Sequence, residues 1–235
     1  MATTTKQAKN KAAGTGRSPK SAGVHLAQVA TSFIEDAIRE GRYAPGHRLV
    51  EADLARDTGR GIGPVREALR LLAGEGVIEL IPFKGARIRR LERQDLIAIL
   101  QVLKGLGYAG LHLVAELVAQ RQRDTAEIDR AMDVIRASAR RTNAATFMMR
   151  VGDFHSVLHA LSGNEYLDKV SRTMHLNLFH RELAVFLPIE DWDGYVAAYE
   201  RIAAALVAGD GDTAVAAFLR HMDRLIARLR AGAEF

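Results

Sequence analysis

The stretch Pro64-Val65-Arg66-Glu67-Ala68-Leu69-Arg70, with Leu54-Ala55 before it and Gly76-Val77-Ile78 after it, decides how this chain is read. It has the pattern of the second helix of a helix-turn-helix, followed by a β-hairpin wing. Proline suits the first turn of a helix, where its missing N–H has no intrahelical partner to lose. Val65, Leu69 and Leu72 repeat at helical spacing and are expected to face inward. Arg66 and Arg70, four residues apart, lie on another side, where a phosphate backbone can be met.

On the N-terminal side, Val24, Ala27, Ala30 (or Thr31), Ile34 and Ile38 mark a helix that ends near Gly41, with Pro45-Gly46 as a stop beyond it. Leu49-Val50 suits a short strand, and Glu51 to Asp57 a short helix that turns Leu54 and Ala55 inward. Gly59, Gly61 and Gly63 make a glycine-rich turn. It lacks the Lys-Ser/Thr of a phosphate-binding P-loop and follows no long buried strand. The Pro64 helix is expected to run to about Ala73. The segments 77–81 and 86–90 alternate as two strands joined by Pro82-Phe83-Lys84-Gly85.

From Glu92 the texture becomes continuously helical. Leu96, Ile99, Leu100, Leu103 and Leu106 mark one face, interrupted by Gly105, Gly107 and Gly110, which either bend the helix or admit a close neighbour. Further helices are expected at about 124–141, 144–162, 165–187, 192–208 and 211–231, the last capped by Asp210 or Asp212. The fold class is therefore mainly α. A winged helix-turn-helix with a small β-hairpin (22–91) precedes an all-helical bundle (92–231), and residues 1–21 form a basic disordered tail.

Charge and composition narrow the function classes. The chain has 235 residues and a formal net charge of +5. The tail holds Lys6, Lys9, Lys11, Arg17 and Lys20 and no acid, so the positive excess is a property of the tail and by itself says little about nucleic acid. With no cysteine, disulfides and thiolate metal sites are excluded, and a cytoplasmic location is expected. No uninterrupted apolar run approaches the length of a membrane span, so no membrane association is expected.

These residues resemble the GntR family of bacterial transcription regulators. The resemblance is carried by 49–55 (Leu-Val-Glu-Ala-Asp-Leu-Ala), by the Pro64 to Arg70 stretch, and by Glu75-Gly76-Val77-Ile78-Glu79-Leu80. The C-terminal part resembles the FCD effector domain of the fatty-acid-regulator subfamily through Phe154-His155, Gly163-Asn164, Ala208-Gly209-Asp210 and His221. The resemblance implies a homodimer whose winged helices bind double-stranded DNA at a palindromic operator. Its helical domain would dimerise and bind a small metabolite, often an organic acid, changing the spacing of the heads. A repressor released by its effector is the expected role, with the 91–96 junction transmitting the change.

Two departures from the family pattern matter. Just ahead of the proline, where the family carries a polar residue, Arg and Thr, this chain has Gly61, Ile62 and Gly63. Ile62 cannot make the bidentate arginine–guanine contact, worth about 1–3 kcal/mol of discrimination, though it can touch a thymine methyl. The remaining candidate DNA contacts are Arg66, Arg70, the open helix entrance and Lys84 at the wing tip. The competing reading pairs Arg66 and Arg70 with Glu67, Glu75 or Asp53 on a solvated surface.

The second departure lies in the effector domain. The family's metal site uses an Asp and a His four apart on one helix plus two later His, but here those positions read Val151, His155, Tyr199 and His221. Two of four ligands of a divalent, zinc-like site are thus replaced. Asp153 is on the wrong side of the helix to help, and His159 or His175 are the available substitutes. Three readings stay open: a degenerate metal site at His155 and His221, a metal-free pocket in which His155, Tyr199 and His221 bind the effector directly, or a packed core. Lys104 and Tyr108, at positions where the family often has Arg and Glu, are further effector-binding candidates: Lys104 can meet a carboxylate, and Tyr108 with Tyr199 favours a more aromatic or apolar ligand. No catalytic motif stands out, so an enzyme is not expected. The alternative is a protein-interaction module whose winged helix has lost sequence-specific reading.

Overall fold

The computed structural model describes residues 19–82, 85–139, 142–174, 176–186 and 192–232. Lys84, His175 and residues 1–18 of the expected tail lie outside the described residues. The first helix, α1 (Pro19–Arg39), starts within the segment assigned to the tail. It buries Ala27, Ala30, Ile34 and Ile38, the spacing that one helical stripe requires. It is followed by β1 (Arg48–Leu49), α2 (Glu51–Thr58), α3 (Ile62–Gly74), β2 (Ile78–Ile81) and β3 (Gly85–Ile88).

α3 buries Val65, Ala68, Leu69 and Leu72, and begins two residues before the proline. α2 stops at Gly59, whose left-handed backbone (φ 63°) turns the chain toward α3. The antiparallel sheet has order β1-β3-β2, with Leu49 opposite Ala86 and Ile78 opposite Ile88. Its buried side chains close over α1 and α3.

The bundle consists of α4 (Arg93–Ala119), α5 (Ala126–Ser138), α6 (Ala144–Leu161), α7 (Glu165–Thr173), α8 (Leu176–Leu183) with a 3₁₀ turn (Ala184–Phe186), α9 (Trp192–Val207) and α10 (Gly211–Ala231). A reciprocal cap between Glu92 and Asp95 starts α4, and the Asp210 carboxylate accepts from Thr213 N to start α10. α4 runs unbroken through its three glycines. A Cβ on Gly107 would sit 2.2 Å from Phe218 Cε1, so this glycine admits the ring of α10.

One expectation needs correction. The segment read as one helix over 165–187 is two helices and a 3₁₀ turn. The Thr173 hydroxyl bonds back to Lys169 O at the end of α7, and the new direction lets α8 bury side chains on two sides. α4 is long and apolar enough to cross a membrane, with a mean hydropathy of 1.5 over its most apolar window. Polar residues are interspersed, but Lys104 is the one formally charged side chain between Leu96 and Ala115. Only 28% of that window is buried within the chain, because α4 turns one apolar face to the core and leaves Ala98, Val102, Gly105 and Tyr108 exposed on the other.

Candidate functional site

The first candidate surface is the entrance of α3. Gly61 precedes the helix with no side-chain cap, and the first turn holds no acidic residue. Its leading N–H groups therefore face outward together with the positive end of the helix dipole. Ile62 is 49% exposed, a large apolar side chain standing in water. A Cβ on Gly59 or Gly63 would meet nothing within 4 Å, so neither glycine answers an internal packing need there.

Arg66 lies one turn further along and points into solvent. Its guanidinium donates to both carboxylate oxygens of Glu51 on α2, at 3.1 and 2.7 Å, and holds that carboxyl below its ordinary range. This partner is none of the three weighed from the sequence; it sits fifteen residues back, across the helix-turn-helix. The pair is solvent-screened, so exchanging the carboxylate for a phosphate costs little. Arg70 pairs with Glu67 at 3.6 Å and is likewise exposed.

The second candidate is a small cavity inside the bundle. His155 on α6, Tyr199 on α9 and His221 on α10, the trio that the family resemblance named, all line it. A 2.8 Å hydrogen bond joins His155 Nε2 and the Tyr199 hydroxyl, and the Tyr199 ring stands edge-on to His221 at 5.4 Å. The cavity measures about 30 Å³, room for roughly one or two waters. Most of the wall is apolar: Leu100, Leu103, Met148, Val151, Phe218 and Met222. Burial pushes His155 and His221 down to about 3 and His180 to about 4, and holds the Tyr199 hydroxyl protonated.

The structure corrects two effector-binding candidates. Leu100, Leu103, Leu106 and Gly107 line the cavity from α4. Lys104 and Tyr108 fall on the shoulder turned away from it. The Lys104 ammonium donates to Asp223 of α10, and Tyr108, 52% exposed, packs edge-on against His112.

The sequence reading passed over His180. It is 5% exposed and reaches the cavity from α8 because Gly152 opposite has no Cβ; one placed there would lie 2.7 Å from the imidazole. His159 is also buried, its Nδ1 joined to the Ser171 hydroxyl at 2.9 Å. A metal ion does not fit this donor set. Val151 offers no ligand, the hydroxyl of Tyr199 occupies a nitrogen that His155 would need, and burial disfavours the phenolate. Among the described residues no group of three His, Cys, Asp or Glu side chains is arranged to hold an ion.

α8 connects the two candidates. Phe179, His180 and Leu183 line the cavity. On the other side, Leu178 is 4% exposed within the core of the winged helix, beside α1. Arg181 packs against Gly41, and the Glu182 carboxylate accepts from Leu91 N at 3.3 Å. A wider cleft of about 690 Å³ lies between α1 and α6–α8; His155, His159, Leu176 and His180 border both spaces.

Comparison with known proteins follows the same division. Residues 26–88 match the family described as "Bacterial regulatory proteins, gntR family", and residues 98–224 match the "FCD domain". An uncharacterized HTH-type transcriptional regulator of Agrobacterium vitis is 33% identical over 112 residues, 44% of this chain and 64% of the relative. A "probable D-xylose utilization operon transcriptional repressor" of Paenarthrobacter nicotinovorans is 35% identical over 86 residues, 36% of this chain and 38% of that protein. The chain thus spans less than two thirds of the length of these curated relatives. Among solved structures, E. coli McbR/YncC superposes with a TM-score of 0.73 at 19% identity, covering 88% of this chain and 98% of the other. A GntR transcriptional regulator from Rhodococcus sp. RHA1 gives 0.70 at 21%, covering 89% and 99%. At these identities the likeness establishes the shared fold.

Proposed function

The chain belongs to the gntR family of bacterial regulatory proteins and carries an FCD domain, so it is a DNA-binding transcriptional regulator; from that premise we propose that it is a homodimeric, cytoplasmic repressor that a small metabolite releases from a palindromic operator. The observation that carries the proposal is α8, one short helix with one side in the bundle cavity and the other in the core of the winged helix. An occupant larger than a water pair needs the cavity to widen. If α8 yields, Leu178 and Arg181 move with it and the head is re-aimed. A ligand that binds the widened form better shifts the population toward it, which is linkage between two sites.

In this reading Arg66 and the open entrance of α3 grip phosphates, with Arg70 and Lys84 as flanking contacts, and Ile62 reads thymine methyls in place of guanine. The exposed apolar face of α4 packs on the same face of a second copy and holds two heads at a fixed half-site spacing. The repressor role is supported by the printed name of the Paenarthrobacter relative.

The test is a fluorescence-anisotropy titration of DNA from the region upstream of the protein's own gene, over a range of salt, with the full chain and with Arg66→Ala. The expected result is sequence-selective binding weakened at least tenfold in the variant, with the salt slope reduced by about 1. Equal binding by variant and parent, or no binding to any fragment at low salt, would favour a protein-interaction module instead.

A further inference from the structure

The cavity's donors are almost all spoken for. His155 and Tyr199 bond each other, His159 bonds Ser171, and His180 is engaged by the backbone of Leu176. His221 is different: it is 3% exposed, and its Nε2 has no hydrogen-bond partner. No lysine or arginine lines the space. Arg201, Arg224 and Arg228 are near enough to add to the depression of His221, but none reaches the cavity wall to donate. The walls are otherwise leucine, methionine, valine and aromatic rings.

A carboxylate entering this space would lose its water and meet no cation, metal or uncommitted set of donors. An uncharged molecule loses little, and a single hydroxyl or carbonyl on it would find one waiting imidazole nitrogen. Neutral histidine can donate from Nε2 or accept there according to tautomer, so either kind of group is served.

We propose that the ligand of this cavity is an uncharged, mainly apolar molecule bearing one hydrogen-bonding group, that His221 Nε2 takes that group, and that no metal ion takes part. This rests on the reading of the cavity as the effector site, and it departs from the organic acid that the resemblance implies.

The test uses three molecules of nearly one shape: benzyl alcohol, benzoate and toluene. Each is titrated calorimetrically into the full chain at pH 7.5, with chelator and again with zinc. Benzyl alcohol is expected to bind at least tenfold more tightly than benzoate and measurably more tightly than toluene, regardless of zinc. In His221→Phe the advantage of benzyl alcohol over toluene is expected to vanish while toluene still binds, which also certifies that the variant is folded. Tighter binding of benzoate, a requirement for zinc, stoichiometric zinc binding that shifts the His155 and His221 imidazole resonances, or silence toward all three probes would overturn the proposal. The DNA complex is followed separately. If benzyl alcohol binds as described but leaves that complex intact, the regulatory reading fails while the chemistry of the cavity stands.

Discussion

Acidification from pH 7 to pH 5 is expected to remove about 4 kcal/mol of folding stability through His180 and His221 alone. Both imidazoles are buried in the bundle, and burial is the first cause of their depression, to about 4 and about 3. In the unfolded chain each titrates near 6.5. Between these values the unfolded chain binds protons that the folded chain refuses, so stability falls as pH falls. The loss begins as pH drops through about 6.5 and levels off below the folded-state values. At pH 5, about 1.5 units below the unfolded value, each histidine costs about 2 kcal/mol at roughly 1.36 kcal/mol per unit. His155, half-buried and hydrogen-bonded to Tyr199, is not counted in that figure. Against a typical total of about 5–15 kcal/mol, this is a large fraction. Urea unfolding, followed by the fluorescence of Trp192 at a series of pH values, measures it. The variant His221→Leu is expected to lose about 2 kcal/mol less than the parent over the same interval. If parent and variant lose stability equally, His221 is not held neutral by burial and the reasoning fails.

Two substitutions probe close approaches. Gly107→Ala would bring a methyl group within 2.2 Å of Phe218 Cε1 and is expected to destabilise the chain by about 1–3 kcal/mol in urea unfolding. Adding Phe218→Leu should recover part of that, and full stability in the single variant would refute the packing argument. Gly152→Ala places a methyl against His180, so it is expected to push α8 outward and weaken operator binding several-fold with no ligand present. DNA affinity unchanged from the parent, in a variant shown by circular dichroism to be folded, would disconnect α8 from the head.

Local chemistry made the head legible. The period of Val65, Leu69 and Leu72 and the glycines around α2 and α3 determine those helices through contacts close in sequence. The convergence of His155, Tyr199 and His221 was reached through resemblance, and it survives because three long helices hold those positions. Lys104 and Tyr108 failed for a simple reason. Spacing tells that two residues share a side of a helix, but what lies on that side depends on neighbours far along the chain, here Asp223 and solvent. His180 was hidden likewise, since its burial depends on a missing side chain at Gly152. The Arg66–Glu51 pair spans a turn whose geometry no period encodes. The break between α7 and α8 was missed because an apolar pattern that serves two cores reads as one continuous helix.

Leu178 has a consequence for how the molecule comes into being. The ribosome releases the winged helix first, yet the last apolar side chain of that core arrives only when residue 178 has left the exit tunnel. Until then the side of α1 that α8 covers stands open. The nascent head therefore matures together with the bundle, and a fragment ended at residue 91 would show water a surface that the whole protein never exposes.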